Sequence, residues 1–239
     1  MQISFGGKVV LVAGGTGGLG HAVSLTFLAE GARVVVTYRE AKGMEQLKSE
    51  AVGMPGVLEG VQVDVTDEAA IEKLINEIVT KHGHLDALVN TVGGYAGGVK
   101  MWETERKVFD RMLDLNLRSG YVLARAAVPV MLKQGSGAVV NVAAKAAVDH
   151  GAGASAYAAS KAAVVALMDS LAADVKGTGV RVNSVLPSII DTAVNRDAMP
   201  DANFATWPKP EEIASVILFL ASDAAEVIHG AAIPVYGKH

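Results

Sequence analysis

The stretch Val9-Val10-Leu11-Val12-Ala13-Gly14-Gly15-Thr16-Gly17-Gly18-Leu19-Gly20 decides how the rest of the chain is read. Its first five residues are apolar and rich in β-branches. That is the run expected of a short strand buried on both faces. The glycines after it cannot continue a strand. Ala22, Val23, Leu25, Thr26, Phe27, Leu28 and Ala29 then recur at helical spacing, and Gly31 suits a helix C-terminus. The chain therefore opens as strand, glycine turn, helix.

The same alternation continues outward. Strands are predicted at 34–36, 57–63, 85–90, 138–142, 180–186 and 231–235. Helices are predicted at 40–52, after Asp67, and at 103–133, 155–176 and 211–221. Thr66 or Asp67 can cap the helix that carries Ile71, Leu74, Ile75, Ile78 and Val79 on one face. Strand and helix repeated in this way imply right-handed crossovers and a parallel sheet covered on both sides. The expected fold is α/β: a single doubly wound Rossmann-type domain spanning residues 1–239, with about seven parallel strands. Regular patterning fails only at about 188–210, read here as a mobile loop over the substrate.

Composition narrows the function. The 239 residues are 51% hydrophobic and 19% charged, with a net charge of -4. Such a chain can bury a core. Its acidic balance argues against a nucleic-acid binder. Without cysteine it has no disulfide, zinc-thiolate site or thiol nucleophile. No basic, apolar leader and no long apolar run is seen, so a cytoplasmic protein without membrane or nucleic-acid partners is expected. His82 and His84 flank a glycine in isolation, so no metal is expected.

In a doubly wound sheet, ligands bind beyond the C-terminal ends of the strands. Gly14, Gly18 and Gly20 stand where a tight turn, close approach to a pyrophosphate and close helix packing are needed. The following helix offers free N–H groups to phosphate. The whole turn, with Thr16, Gly17 and Leu19, is expected to hold a dinucleotide. No Lys-Ser/Thr pair follows, so it is not an NTPase loop. The second strand ends in Thr37-Tyr38-Arg39-Glu40. Arg39 beside the adenosine ribose favours the 2′-phosphate of NADP, while Glu40 could still serve NAD. NADP(H) is expected over NAD(H).

From Gly14 onward, nearly the full length resembles a short-chain dehydrogenase/reductase. The family's T-G-x-x-x-G-x-G is matched except that Ala13 replaces the Thr. Asp64-Val65 resembles the Asp facing the adenine, Asn90-Thr91-Val92-Gly93 a variant N-N-A-G, and Asn116 the Asn of the catalytic tetrad. Tyr157-Ala158-Ala159-Ser160-Lys161 matches Y-x-x-x-K. Pro187-Ser188 resembles P-G, and Thr192 the Thr that reaches the nicotinamide carboxamide. The resemblance implies Tyr157 as proton donor, Lys161 reaching the nicotinamide ribose, and Asn116 holding a water on the proton path. Tyr157 and Lys161, four apart, share a helix face. An ammonium there is expected to lower the Tyr157 pKa from about 10 toward working pH. The resemblance also implies a homodimer or homotetramer built through the two long helices.

One family residue is missing. The catalytic Ser stands thirteen residues before the Tyr, and here that position is Ala144. A missing donor at a developing oxyanion costs ~10²–10³ in rate. Dihydropteridine reductases resemble this chain locally, at Gly93-Gly94-Tyr95-Ala96-Gly97-Gly98, at 144–149 and at 191–207. Their Ala at the Ser position suggests a quinonoid dihydropterin as substrate. Tyr95 could stack on a flat ligand, Trp207 could cover it or anchor a lid, and Arg196 could bind an anionic substrate. The leading expectation is an NAD(P)H-dependent reductase of a small molecule. The alternatives are a non-catalytic dinucleotide sensor, motivated by Ala144, and a methyltransferase-like binder, which Y-x-x-x-K argues against.

Overall fold

The computed structural model describes residues 3–238. Seven strands form one sheet: β1 (Val9–Ala13), β2 (Arg33–Tyr38), β3 (Val57–Gln62), β4 (Ala87–Asn90), β5 (Gly137–Val142), β6 (Val180–Pro187) and β7 (Ala232–Val235). Every pairing is parallel, in the order β3-β2-β1-β4-β5-β6-β7. The order reverses between β1 and β4, which opens a crevice at the C-terminal end of β1.

The helices are α1 (Gly18–Ala29), α2 (Ala41–Glu50), α3 (Glu68–His82), α4 (Arg106–Leu113), α5 (Ser119–Gln134), α6 (Ser155–Asp174), α7 (Ala193–Ala198) and α8 (Pro210–Ala221). They cover both faces of the sheet. Val9, Leu11 and Ala13 of β1 pack with α3, α5 and α6. Val10 and Val12 point the other way, against Val23 and Phe27 of α1 and Ile213 and Ile217 of α8. Burial on two sides explains why β1 shows no polar alternation. Asp67 caps α3 by accepting from the Ala70 N–H at 3.1 Å.

Two expectations are corrected. The helix predicted at 103–133 runs unbroken over 106–134 but is not regular: it starts after a 3₁₀ turn at Met101–Glu103, and a π-helical segment, Asp114–Arg118, joins α4 to α5. Residues 188–210 are not patternless. They contain α7 and a second 3₁₀ turn at Phe204–Thr206, and Trp207 fixes the far end with 6% of its surface exposed. Helix α6 is long and apolar enough, by length and composition alone, to cross a membrane. Here it packs on the sheet, with Val164, Met168 and Ala172 in the core.

Candidate active site

A cleft of about 310 Å³ lies over the C-terminal ends of the strands at the reversal point. Gly14, Thr16, Gly17, Tyr38, Arg39, Asp64, Val65 and Gly93 line it, all foreseen from sequence. The turn beneath is held tightly. Gly14 has φ +75, and its N–H donates to Thr37 Oγ1 at 3.0 Å. A Cβ on Gly20 would stand 2.1 Å from the Gly14 carbonyl oxygen, so only glycine lets α1 approach this closely. Thr91 Oγ1 donates to the Ala13 carbonyl at 2.7 Å, and Ser24 Oγ to that of Gly20 at 2.8 Å. Thr37, Thr91 and Ser24 were missed from sequence. The register of Ala13 beside Asn90 puts Thr91 next to the turn, and register is not written in residue type.

Helix α1 begins with no side-chain cap and no acidic residue in its first turn. Its first N–H groups thus remain free for an anion, and the macrodipole favours one. Leu19 sends its side chain into the core, so its contribution to a ligand is its backbone. Thr192 lies over the turn: a Cβ on Gly18 would stand 3.1 Å from its methyl. Pro187 ends β6 paired with Val235, and Asn90 is buried, donating to Asn141 Oδ1 at 2.9 Å. Both support the cleft without lining it. At the opposite end, Asp64 accepts from the Thr66 N–H and hydroxyl at 2.9 and 2.7 Å. These bonds, and then the Arg39 charge, hold its carboxyl below the usual range.

Gly93 is the wall between the cleft and the chemistry. A Cβ there would stand 2.9 Å from Asn116 Oδ1 and 3.1 Å from Lys161 Nζ. Asn116, on the π segment, accepts from the Gly94 N–H at 2.9 Å and donates to the Gly94 carbonyl at 3.0 Å and Ser160 Oγ at 2.9 Å. Its side chain is a clamp between the 93–94 loop and α6. With the amide committed in this way, any water at Asn116 would have to be met by another of its groups. Ser160, also missed, donates a hydrogen bond from its hydroxyl to the Tyr157 carbonyl at 2.7 Å.

Lys161 is buried, with Nζ donating to the Val142 carbonyl at 3.0 Å. Burial pushes its pKa down to about 8. Tyr157 is pushed up to about 12, first by burial and then by Tyr95. The expectation that Lys161 lowers the Tyr157 pKa is therefore corrected: in this arrangement burial and Tyr95 govern it. Tyr95 meets Tyr157 edge-to-face, ring centroids 5.0 Å apart. Ala144 is buried at the N-terminal edge of a 3₁₀ turn, Lys145–Ala147, and adds no hydroxyl. Arg196 is not free for an anionic substrate. It makes a two-pronged bond to Asp191 at 2.5 and 2.7 Å and lies over the Phe204 ring. Trp207 packs 5.0 Å from Phe204 as an anchor of the loop. Among the described residues, no group of three or more His, Asp or Glu could hold a metal.

Comparison with known proteins agrees with this geometry. Residues 8–203 match the short chain dehydrogenase family. The chain belongs to it. Over 97% of its length, and 97% of the relative's, it is 34% identical to 3-oxoacyl-(acyl-carrier-protein) reductase FabG of Thermotoga maritima. It is 36% identical to meso-2,3-butanediol dehydrogenase of Serratia marcescens, covering 98% of this chain and 94% of the other. A solved short-chain type dehydrogenase/reductase from Mycobacterium ulcerans superposes with a TM-score of 0.93 at 26% identity, covering 99% and 90%. As a short-chain dehydrogenase the protein is an oxidoreductase that uses a nicotinamide adenine dinucleotide and acts on a small molecule. The residues fit that cofactor: a Cβ at Gly15 or Gly20 would stand 2.6 or 2.1 Å from its neighbour, so the turn keeps its tight path, and the first turn of α1 is open to a pyrophosphate.

Proposed function

We propose that this short-chain dehydrogenase interconverts a small ketone and its alcohol, with Tyr157 as proton donor in the reducing direction. The observation that carries the reading is a half-buried Tyr157 one helical turn from a buried Lys161, whose Nζ stands directly behind Gly93 of the cleft wall. A tyrosine held with a pKa near 12 keeps its proton at neutral pH and can give it to an oxygen that gains charge. The bound cofactor supplies or takes the hydride. The Lys161 ammonium stabilises negative charge left near it, and Asn116 with Ser160 holds the loop and helix in register. The named relatives act on a 3-oxoacyl group and on a vicinal diol, which favours oxygen-centred substrates.

NADP(H) is proposed over NAD(H), supported by Arg39 in the cleft wall opposite Asp64. A cytoplasmic location and a homodimer or homotetramer belong to the same proposal. Exposed Met101, Trp102, Phe109 and Tyr121 support the assembly. A second reading, reduction of a quinonoid dihydropterin, is favoured by Ala144 and the 93–98 loop.

The test is an initial-rate panel with NADPH and NADH against an acetoacetyl thioester, a vicinal diketone, a sugar ketone and quinonoid dihydropterin. Turnover of a ketone, faster with NADPH, supports the first reading. Turnover of the pterin alone supports the second. Cofactor binding with no turnover of any of them would leave a non-catalytic dinucleotide binder.

A further inference from the structure

Ala144 leaves this site one hydroxyl short, and a second phenol ring, that of Tyr95, stands against Tyr157. Gly94 is pinned by both its N–H and its carbonyl to Asn116, so Tyr95 starts from a fixed backbone point. The far end of its ring rests on Gly97. A Cβ at that position would stand 2.1 Å from Tyr95 Oη and 2.6 Å from Cζ, so glycine here lets the phenol lie against the backbone in this position. Between these supports the ring edge meets Tyr157. Tyr95 is 69% exposed, and among the described residues its hydroxyl has no hydrogen-bond partner.

The other hydroxyl and ammonium groups nearby are committed elsewhere. Ser160 Oγ is shared between Asn116 and the Tyr157 carbonyl. Ser188 Oγ donates to the Tyr236 carbonyl at 2.8 Å. Lys145 pairs with Asp149 at 3.3 Å and sits over the Tyr236 ring. Ser155 lies two residues before Tyr157 on α6, which is not the same face, and opens on an outer groove with Met101 and Phe109.

We propose that the Tyr95 hydroxyl donates the hydrogen bond to the substrate oxygen that Ala144 cannot, so that two tyrosines hold the reacting oxygen. The proposal rests on the ketone reading above. In reduction, the carbonyl carbon gains a hydride from the nicotinamide, which is oxidised. The oxygen gains the Tyr157 proton and becomes the alcohol hydroxyl. Tyr95 keeps its proton and only donates a hydrogen bond, and solvent later restores the Tyr157 proton. A phenol is an acidic hydroxyl, pKa about 10 when unperturbed, and so a capable donor to a developing oxyanion.

The test is a cycle of Tyr95→Phe and Ala144→Ser, which tests the coupling directly. Tyr95→Phe keeps the ring and removes only the hydroxyl. It is expected to lower kcat/KM for a ketone ~10²-fold, with NADPH affinity by nicotinamide fluorescence unchanged. Ala144→Ser added to Tyr95→Phe is expected to restore most of that loss, while in the wild type its gain is much smaller. A Tyr95→Phe enzyme within twofold of wild type, or an Ala144→Ser gain equal in both backgrounds, overturns the proposal. A readout independent of turnover is ultraviolet titration of Tyr157, assigned by difference against Tyr157→Phe. Tyr95→Phe should lower the Tyr157 midpoint, and an unmoved midpoint overturns the pairing. If no ketone is turned over but the midpoint moves, the ketone reading and the donor role fall together and only the pairing of the two rings stands. If neither occurs, both have failed.

Discussion

Lys161 carries an ammonium into an apolar interior where the Val142 carbonyl receives it. One carbonyl does not repay the loss of water around a charge, so the pKa falls to about 8. The consequence for stability has a definite sign. Between about pH 8 and the unfolded value near 10.4, the unfolded chain binds the proton and the folded chain does not, so stability rises with pH across that window. Tyr157 acts oppositely: its folded pKa of about 12 lies above the unfolded value near 10, so its contribution is present below pH 10 and lost toward 12. Lys161→Met is expected to raise Tm at pH 7 by about 2–6 °C and to lose the rise between pH 8 and 10. A lower Tm for the variant at pH 7 would contradict this cost. The identities of Tyr157, Lys161 and Asn116 were legible because spacing along a helix is written in the sequence. Their partners were not. Which carbonyl Lys161 meets, and how fully Asn116 is consumed by Gly94 and Ser160, depends on chain segments far apart in sequence.

Elements show the same division. The strand, glycine turn and α1 were legible from their residues, since no other pattern combines a β-branched run with glycines that exclude a Cβ. Gly20→Ala drives a methyl against the Gly14 carbonyl. A Tm loss of about 6–12 °C is expected, at the upper end of overpacking costs of about 3 kcal/mol, together with loss of nicotinamide binding. An unchanged melting curve would mean that the turn yields. The π segment was not legible, because one extra residue leaves the apolar period of a long helix almost unaltered. The order in 188–210 was also hidden. It comes from the Asp191–Arg196 bond and the Phe204–Trp207 contact, not from periodicity. Arg196→Ala should speed limited proteolysis within 190–206 and raise the substrate KM severalfold. If it raised neither, Arg196 would not hold this loop.

At the scale of the molecule, α/β alternation and the lack of a linker were enough for a doubly wound parallel sheet, and the crevice followed from its topology. The assembly is a separate matter. Met101, Trp102, Phe109 and Tyr121 stay exposed on the 101–121 stretch of a 24.7 kDa chain. Large aromatic groups grouped in this way suit an interface. Light scattering should give a dimer or tetramer mass for the wild type, and Phe109→Asp with Tyr121→Asp should reduce it to the monomer. A wild type already monomeric would remove that part of the proposal.

The central claim is that Tyr157 delivers the proton in a nicotinamide-dependent reduction. It is tested most directly by steady-state turnover of a ketone by wild type and Tyr157→Phe, each at saturating NADPH with cofactor affinity measured beside it. The account predicts a loss in kcat of ~10²–10⁴ with cofactor affinity intact. A Tyr157→Phe enzyme that turns over at the wild-type rate would contradict it.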